Sequence, residues 1–225
     1  EQVNRQLDTP FHEFLAQGTT ACREVSRIEA PSRKADAAVA CGPTEPPAGC
    51  GVTIFAMPKP FSGHIGTIQK NAIRSWARLD PAPEILLFGD EPGTREMAEE
   101  VGAQHIPEVG RNEFGTPLVD ELFQVAQELA SHEVLAYVNA DIILFQDFTQ
   151  AAQQVQTRLK SFLLIGQRWD LPILDEIDFH GADWRNSLLQ RLRQDAMLHA
   201  ESGLDYFVFR RGLWSQIPPF AIGRT

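Results

Sequence analysis

Three cysteines, no surplus of basic residues and no apolar run of membrane length are the first limits this 225-residue chain sets. Cys22, Cys41 and Cys50 all fall in the first 50 residues, at a spacing that matches no zinc pattern. One disulfide with a leftover thiol and three free thiols both remain open, so the cysteines do not settle the compartment. Lys and Arg number 20 against 30 Asp and Glu, a formal net charge of -10. With no basic excess to displace counterions, a nucleic-acid backbone is excluded as the main partner, though a small phosphate ligand needs only a local positive site. No stretch approaches the roughly 20 apolar residues of a membrane span, and the N-terminal residues show no basic-plus-apolar secretory pattern. There is no G-x-S-x-G elbow, no Walker A loop and no G-x-G-x-x-G after a strand, which sets aside serine hydrolase, P-loop and Rossmann dehydrogenase chemistry.

What is present divides in two. Residues 1–50 read as an extension or linker: Arg27 to Gly51 is rich in Ala, Pro, Gly and charge without periodicity, with one short amphipathic helix around Pro10 to Ala16. Residues 51–225 read as one domain. The hydrophobic fraction of 43% is that of a globular protein. Apolar strands alternate with amphipathic helices: Val52–Met57, Glu84–Gly89, Gln104–Val109, Val134–Val138, Ser161–Gly166 and Asp205–Arg210 as strands, with helices between them. Ile65, Ile68, Ala72, Trp76 and Leu79 give the first helix its stripe. Thr116-Pro117 opens the third as N-cap and first-turn proline, with Leu118, Leu122, Val125, Ala126 and Leu129 facing inward; Asp147 caps the fourth. The alternation implies an α/β fold with a doubly wound, mostly parallel sheet flanked by helices.

The segment Val134 to Leu144, VLAYVNADIIL, is the most informative. A strand buried on both faces ends in Asn139-Ala140-Asp141, and the carboxyl edge of an open sheet is where such folds bind ligands. Pro58-Lys59 and Asp90 follow two other strands and fall on the same edge. An ordinary turn aspartate is the alternative for Asp141.

The strand with its Pro-Lys-Pro loop, then ILLFGDE, then YVNADIIL, resembles the nucleotide-sugar-binding half of a GT-A-type glycosyltransferase. LLIGQRWDL, SGLDYFVF and IPPFAIGR extend the resemblance from Val52 to Thr225. The resemblance implies transfer of a sugar from a UDP- or GDP-linked donor to a glycan or other hydroxyl acceptor. It implies that Pro58 and Lys59 hold base and ribose, and that Asp90 accepts hydrogen bonds from them. Asn139-Ala140-Asp141 stands where the family carries Asp-x-Asp, so Asp141 would bind Mn²⁺ or Mg²⁺, with Asn139 an uncharged replacement for the first acid. Arg111, in a Gly-rich stretch with Asn112, would face the pyrophosphate, with a solvated loop arginine as the alternative. Asp205 would be the base of an inverting reaction, with a capping role as the alternative. Arg168, Asp170 and Trp184 would line the sugar and acceptor side; a lone Trp is otherwise rim packing. His105, His132 and His199 read as bystanders. The chain stops at Ile222-Gly223-Arg224-Thr225, where relatives of the pattern continue, so a last ligand or lid would lie beyond it. Two rivals are a nucleotidyltransferase, which the Pro-Lys-Pro loop does not match, and a non-catalytic nucleotide-sugar-binding or scaffold domain, which Asn139 favours.

Overall fold

The computed structural model describes residues 51–181, 183–200 and 203–219. The extension of residues 1–50, its helix and its cysteines, and Phe220–Thr225 lie outside them. In chain order the elements are β1 (Val52–Ala56), α1 (Gly63–Trp76), β2 (Glu84–Phe88), α2 (Thr94–Val101), β3 (Gln104–Ile106), α3 (Val119–Leu129) and β4 (Val134–Val138). Then follow α4 (Gln146–Arg158), β5 (Leu163–Gly166), β6 (Trp169–Asp170), α5 (Trp184–Asp195), β7 (Met197–Leu198) and β8 (Tyr206–Arg210).

The main sheet has the order β3-β2-β1-β4-β8-β5, and β6 and β7 form a separate ribbon. β1 to β4 run parallel, while β8 lies antiparallel between β4 and β5. The α/β, mostly parallel and doubly wound sheet is thus the observed architecture. Winding goes outward from β1 through β2 to β3, then reverses to place β4 on the other side of β1. β1 and β4 therefore flank the point where the order switches, the position outside whose carboxyl ends open α/β sheets bind ligands.

Strand apolarity follows from burial on both faces. Val52, Ile54, Ala56, Ile85, Leu87, Val134, Ala136 and Val138 pack into one core with α1, α2 and α4. Phe55, Leu86, Phe88 and Leu135 face the other way and meet Leu122, Phe123 and Ala126 of α3.

Helix starts differ from the sequence reading where loops hold residues back. α3 begins at Val119, because Pro117 is held in a β-bridge to Arg111. α4 begins at Gln146, leaving Asp147 in its first turn, where burial pushes its carboxyl up. Ile65 stays 44% exposed, and Gly66, Gln69 and Ile73 take the inward face of α1 instead. Three buried polar residues of α1 explain that face, since each holds a loop. Gln69 accepts from Lys59 N–H (2.7 Å) and donates to its carbonyl (2.8 Å), Asn71 donates to the Asp175 carbonyl (2.9 Å), and Ser75 Oγ accepts from Leu144 N–H (3.0 Å).

At the amino-terminal edge of the sheet, Glu84 accepts hydrogen bonds from Thr53 Oγ1 (2.6 Å), Ser131 N–H (2.7 Å) and Ser131 Oγ (2.6 Å). Burial alone would raise its carboxyl, but the Ser131 and Thr53 donors carry it below the ordinary value of 4.5. A depressed carboxylate contributes stability above the unfolded value and loses it as pH falls through the folded one. Glu84→Gln is therefore expected to cost about 1–2 kcal/mol at pH 7, with the gap to the unmodified protein closing below pH 4.5. Urea denaturation at both pH values measures this; an equal gap at both would show that charge plays no part.

Candidate functional site

The centre of the site is built by β4 and β8, whose antiparallel pairing brings residue 139 to residue 205. Asn139 N–H donates to the Asp205 carbonyl (2.9 Å), and the Asn139 amide nitrogen donates to the Asp205 carboxylate (3.0 Å). Arg168, just past the end of β5, adds its guanidinium: Nη1 reaches both carboxylate oxygens of Asp205 at 2.8 Å. Arg168 Nε donates to Asp170 (2.7 Å), and the second Asp170 oxygen meets His199 Nδ1 at 2.7 Å. The β6–β7 ribbon makes this contact, because Asp170 pairs with Met197 and so lies beside His199. His199 and then Arg168 hold the Asp170 carboxyl below the usual carboxylate range.

Asp205 is only 4% exposed, with its whole carboxylate committed to Arg168 and Asn139. This is not the open carboxylate that the expected role of base requires. Asp141 is different: it is exposed and has no hydrogen-bond or ion-pair partner among the described residues. The chain around it is fixed from behind by Trp76, whose indole donates to the Ile142 carbonyl (2.8 Å), and by Ser75 on Leu144. Tyr137 lies partly buried nearby; desolvation, then the charges of Asp141 and Asp205, push its hydroxyl up to about 12, so it remains a neutral donor.

On the other side of the switch point stands the loop after β1. Pro58 is buried and Lys59 exposed, its backbone clamped on both sides by Gln69. Asp90, after β2, is exposed; the preceding Gly89 adopts φ +93° and is met through its carbonyl by His105 at 2.9 Å. Arg111 donates to the Gly115 carbonyl (2.9 Å) and stands 3.8 Å from Glu91, which places it towards the β2 end of the edge. Beyond β2 and β3 a cavity of about 460 Å³ opens, lined by Phe88, Val109, Leu122 and Val125 with Glu108 and Glu121 at its polar positions.

The structure does not bring Trp184 to this group. Its indole stacks on Phe145 (6.0 Å, 7°) and packs edge-on to Phe179 (4.8 Å), beside Arg78 and Leu79 after α1. Two residues that the sequence reading passed over stand at the site. Gln69 sat on a helix face with no visible partner, and His199, read as a bystander, touches both Asp170 and Arg168. An apolar face interrupted by Gln69 was the one signal for the first; nothing in the spacing pointed to the second.

No family model matches the chain, and no curated protein matches it. Solved structures do. TarS 1-349 of S. aureus aligns with a TM-score of 0.40 and 14% identity over 50% of this chain and 34% of that one. A protein assigned as a nucleotide-diphospho-sugar transferase from Desulfovibrio desulfuricans G20 aligns at 0.42 and 12%, over 72% and 64%. CMP:2-keto-3-deoxy-manno-octonic acid synthetase, complexed with CTP, aligns at 0.40 and 11%, over 72% and 76%. The chain thus spans about a third of the first of these proteins and under two thirds of the second. With its mostly parallel sheet, reversed winding and one inserted antiparallel strand, the fold is GT-A-like. Likenesses at these scores extend to no site residue, so the chemistry of the GT-A-like edge rests on its own side chains.

Those side chains are mainly acidic. Asp90, Asp141, Asp170 and Asp205 stand against Lys59, Arg111 and Arg168, and Arg168 is already shared between two carboxylates. Among the described residues no three His, Cys, Asp or Glu side chains converge as a metal cage. A hard divalent ion held partly by a ligand's phosphates does not need one. The unpartnered Asp141 carboxylate fits that use, as does the Asn139 amide, whose nitrogen is spent on Asp205 and whose oxygen is not.

Proposed function

We propose that this edge binds a nucleotide sugar and transfers the sugar to a hydroxyl acceptor. The observation that carries the reading is that the ends of β1, β2 and β4 and the start of β8 fall on one edge of the sheet at the switch in strand order. That edge takes the diphosphate between the clamped Lys59 loop and Asp141. Asp90 and the Pro58 loop take the nucleoside, as hydrogen-bond acceptor and apolar wall. The cavity by Glu108 and Glu121 is a poor phosphate site, because its only charges are negative.

Mn²⁺ or Mg²⁺ would be held by Asp141 and the Asn139 oxygen, and would neutralise charge on the departing diphosphate. Asn139 is oriented for this by its two hydrogen bonds to Asp205. The reading needs such an ion, since the edge by itself would repel a diphosphate. Asp205 serves in this scheme as the anchor that aligns Asn139 and Arg168. Arg168 and Asp170 form the wall on the acceptor side.

The test is a thermal-shift screen of nucleoside diphosphates and UDP- or GDP-sugars with and without Mn²⁺. A ligand at about 100 times its Kd adds roughly 2.7 kcal/mol to stability, so one nucleotide should raise Tm, and only with the ion. Asp141→Ala should remove that rise and leave the ligand-free Tm unchanged. An equal rise in the variant would move the metal elsewhere. Binding without release of nucleoside diphosphate would favour the scaffold reading, which the committed Asp205 carboxylate supports.

A further inference from the structure

We infer that His199, oriented by Asp170, is the base that takes the acceptor's proton. This rests on the sugar-transfer reading and assigns within it a role that Asp205 is badly placed to fill. Both Asp205 oxygens accept from Arg168, one also accepts from Asn139, and its side chain is 6% accessible. A base must meet the proton it removes. His199 sits on the same rim with 32% of its side chain accessible.

The contact with Asp170 decides which nitrogen is available. At 2.7 Å from a carboxylate oxygen, Nδ1 is the protonated nitrogen, and the neutral ring keeps its lone pair on Nε2. Asp170 in turn is fixed by Arg168 Nε on its other oxygen, which keeps it an acceptor. The backbone locks the same geometry: His199 N–H donates to the Arg168 carbonyl (3.0 Å), and Gln167 donates to the His199 carbonyl (3.1 Å). Gly203 completes the seat, because a Cβ there would stand 2.1 Å from His199 Cδ2 and 2.9 Å from Nε2. The charged groups facing the ring are Asp170 from β6 and Arg168 from the loop before it, with Asp205 behind Arg168. Arg168 Nη2 stands 3.1 Å from Nδ1 and 3.3 Å from Nε2, nearly equidistant from the two, so it lies against the ring and off the in-plane direction of the Nε2 lone pair.

The step balances simply. The acceptor oxygen forms its bond to the anomeric carbon as the bond from that carbon to the diphosphate oxygen breaks. The nucleoside diphosphate leaves with the electron pair. The hydroxyl proton passes to His199 Nε2 and from there to water.

The experiment uses the full chain with the UDP- or GDP-sugar that the thermal-shift screen selects, following release of nucleoside diphosphate. His199→Ala should lower kcat on the order of 100- to 10,000-fold while nucleotide Kd stays within about twofold of the unmodified protein. The acid limb of the kcat–pH profile should vanish, and added imidazole should restore part of the rate. Asp170→Asn should also lower kcat, since an amide can hold the ring in the wrong tautomer. A His199→Ala variant within about tenfold of full turnover, or one that retains the acid limb, would overturn the assignment. So would a ¹⁵N spectrum showing the neutral ring protonated at Nε2, a measurement that needs no turnover. If the unmodified protein binds no nucleotide at all, the transfer reading itself falls and the base with it. Binding and turnover that survive in His199→Ala refute the base alone.

Discussion

Replacing Arg168 by methionine is expected to destabilise the domain by about 2–4 kcal/mol. The cause is the partner left behind. Asp205 is 4% exposed and draws two hydrogen bonds from Arg168 Nη1, so the variant strands a buried charge with only the Asn139 amide beside it. About a third of the Arg168 side chain is accessible, which brings the figure below that of a fully enclosed pair. Asp205→Asn combined with Arg168→Met should recover part of the loss, because the uncompensated charge is gone. Urea denaturation of both single variants and the double variant gives the coupling directly. A loss below about 0.5 kcal/mol for Arg168→Met would mean that water reaches Asp205 once the guanidinium leaves. Arg168→Lys is expected to rescue little, since one ammonium cannot reach Asp205, Asp170 and His199 together.

The second large effect lies behind the switch point. Phe55→Ala should cost about 3–5 kcal/mol. Its ring is fully buried and is met edge-on by Phe123 at 5.0 Å, Tyr137 at 5.6 Å, Phe209 at 6.2 Å and Phe88 at 6.3 Å. Those four come from α3, β4, β8 and β2, so the deletion leaves a void at the meeting of four elements. Phe55→Leu keeps most of the volume and should cost less than half as much. The denaturation midpoint should fall with an unchanged slope; a reduced slope would point instead to a loosened native core. β1 and β4 also flank the switch point, so on the sugar-transfer reading proposed above the alanine variant should bind nucleotide more weakly even where it remains folded.

The sheet was largely legible because its strands are buried on both faces and so read as unbroken apolar runs, VTIFA and VLAYV above all. Strand order was not legible. The hydrophobic pattern is the same whether β4 lies next to β3 or next to β1, and only the fold shows the switch point between Lys59 and Asp141. Helix starts failed where a competing contact won, as at Pro117 with its bridge to Arg111. Residues at strand ends, such as Lys59, Asp90, Asn139 and Asp141, could be placed on one edge from topology alone. Residues whose meaning depends on a distant partner could not. Trp184 has the chemistry of a sugar platform and the contacts of a packing residue. His199 has no motif around it, because its partner Asp170 is supplied by a two-residue ribbon that no periodicity announces.

The antiparallel course of β8 gives residues 167–204 a particular standing. The chain leaves the sheet at the end of β5 and returns at the start of β8, so both ends of this excursion meet at the same rim. Among the described residues it is held to the rest of the domain by Asn71 on Asp175 and Ile177, Lys70 and Arg74 on Glu176, Arg78 on Phe179, Trp184 on Phe145 and Arg168 on Asp205, contacts that all lie outside the strand ladders. Such a segment is a cassette: it can be lengthened, shortened or exchanged without altering the register of any strand beneath it. On the sugar-transfer reading proposed above, the nucleotide side of the edge belongs to the fixed sheet, and the opposite side to this exchangeable piece. One half of what the protein recognises is therefore free to diverge while the other half stays the same.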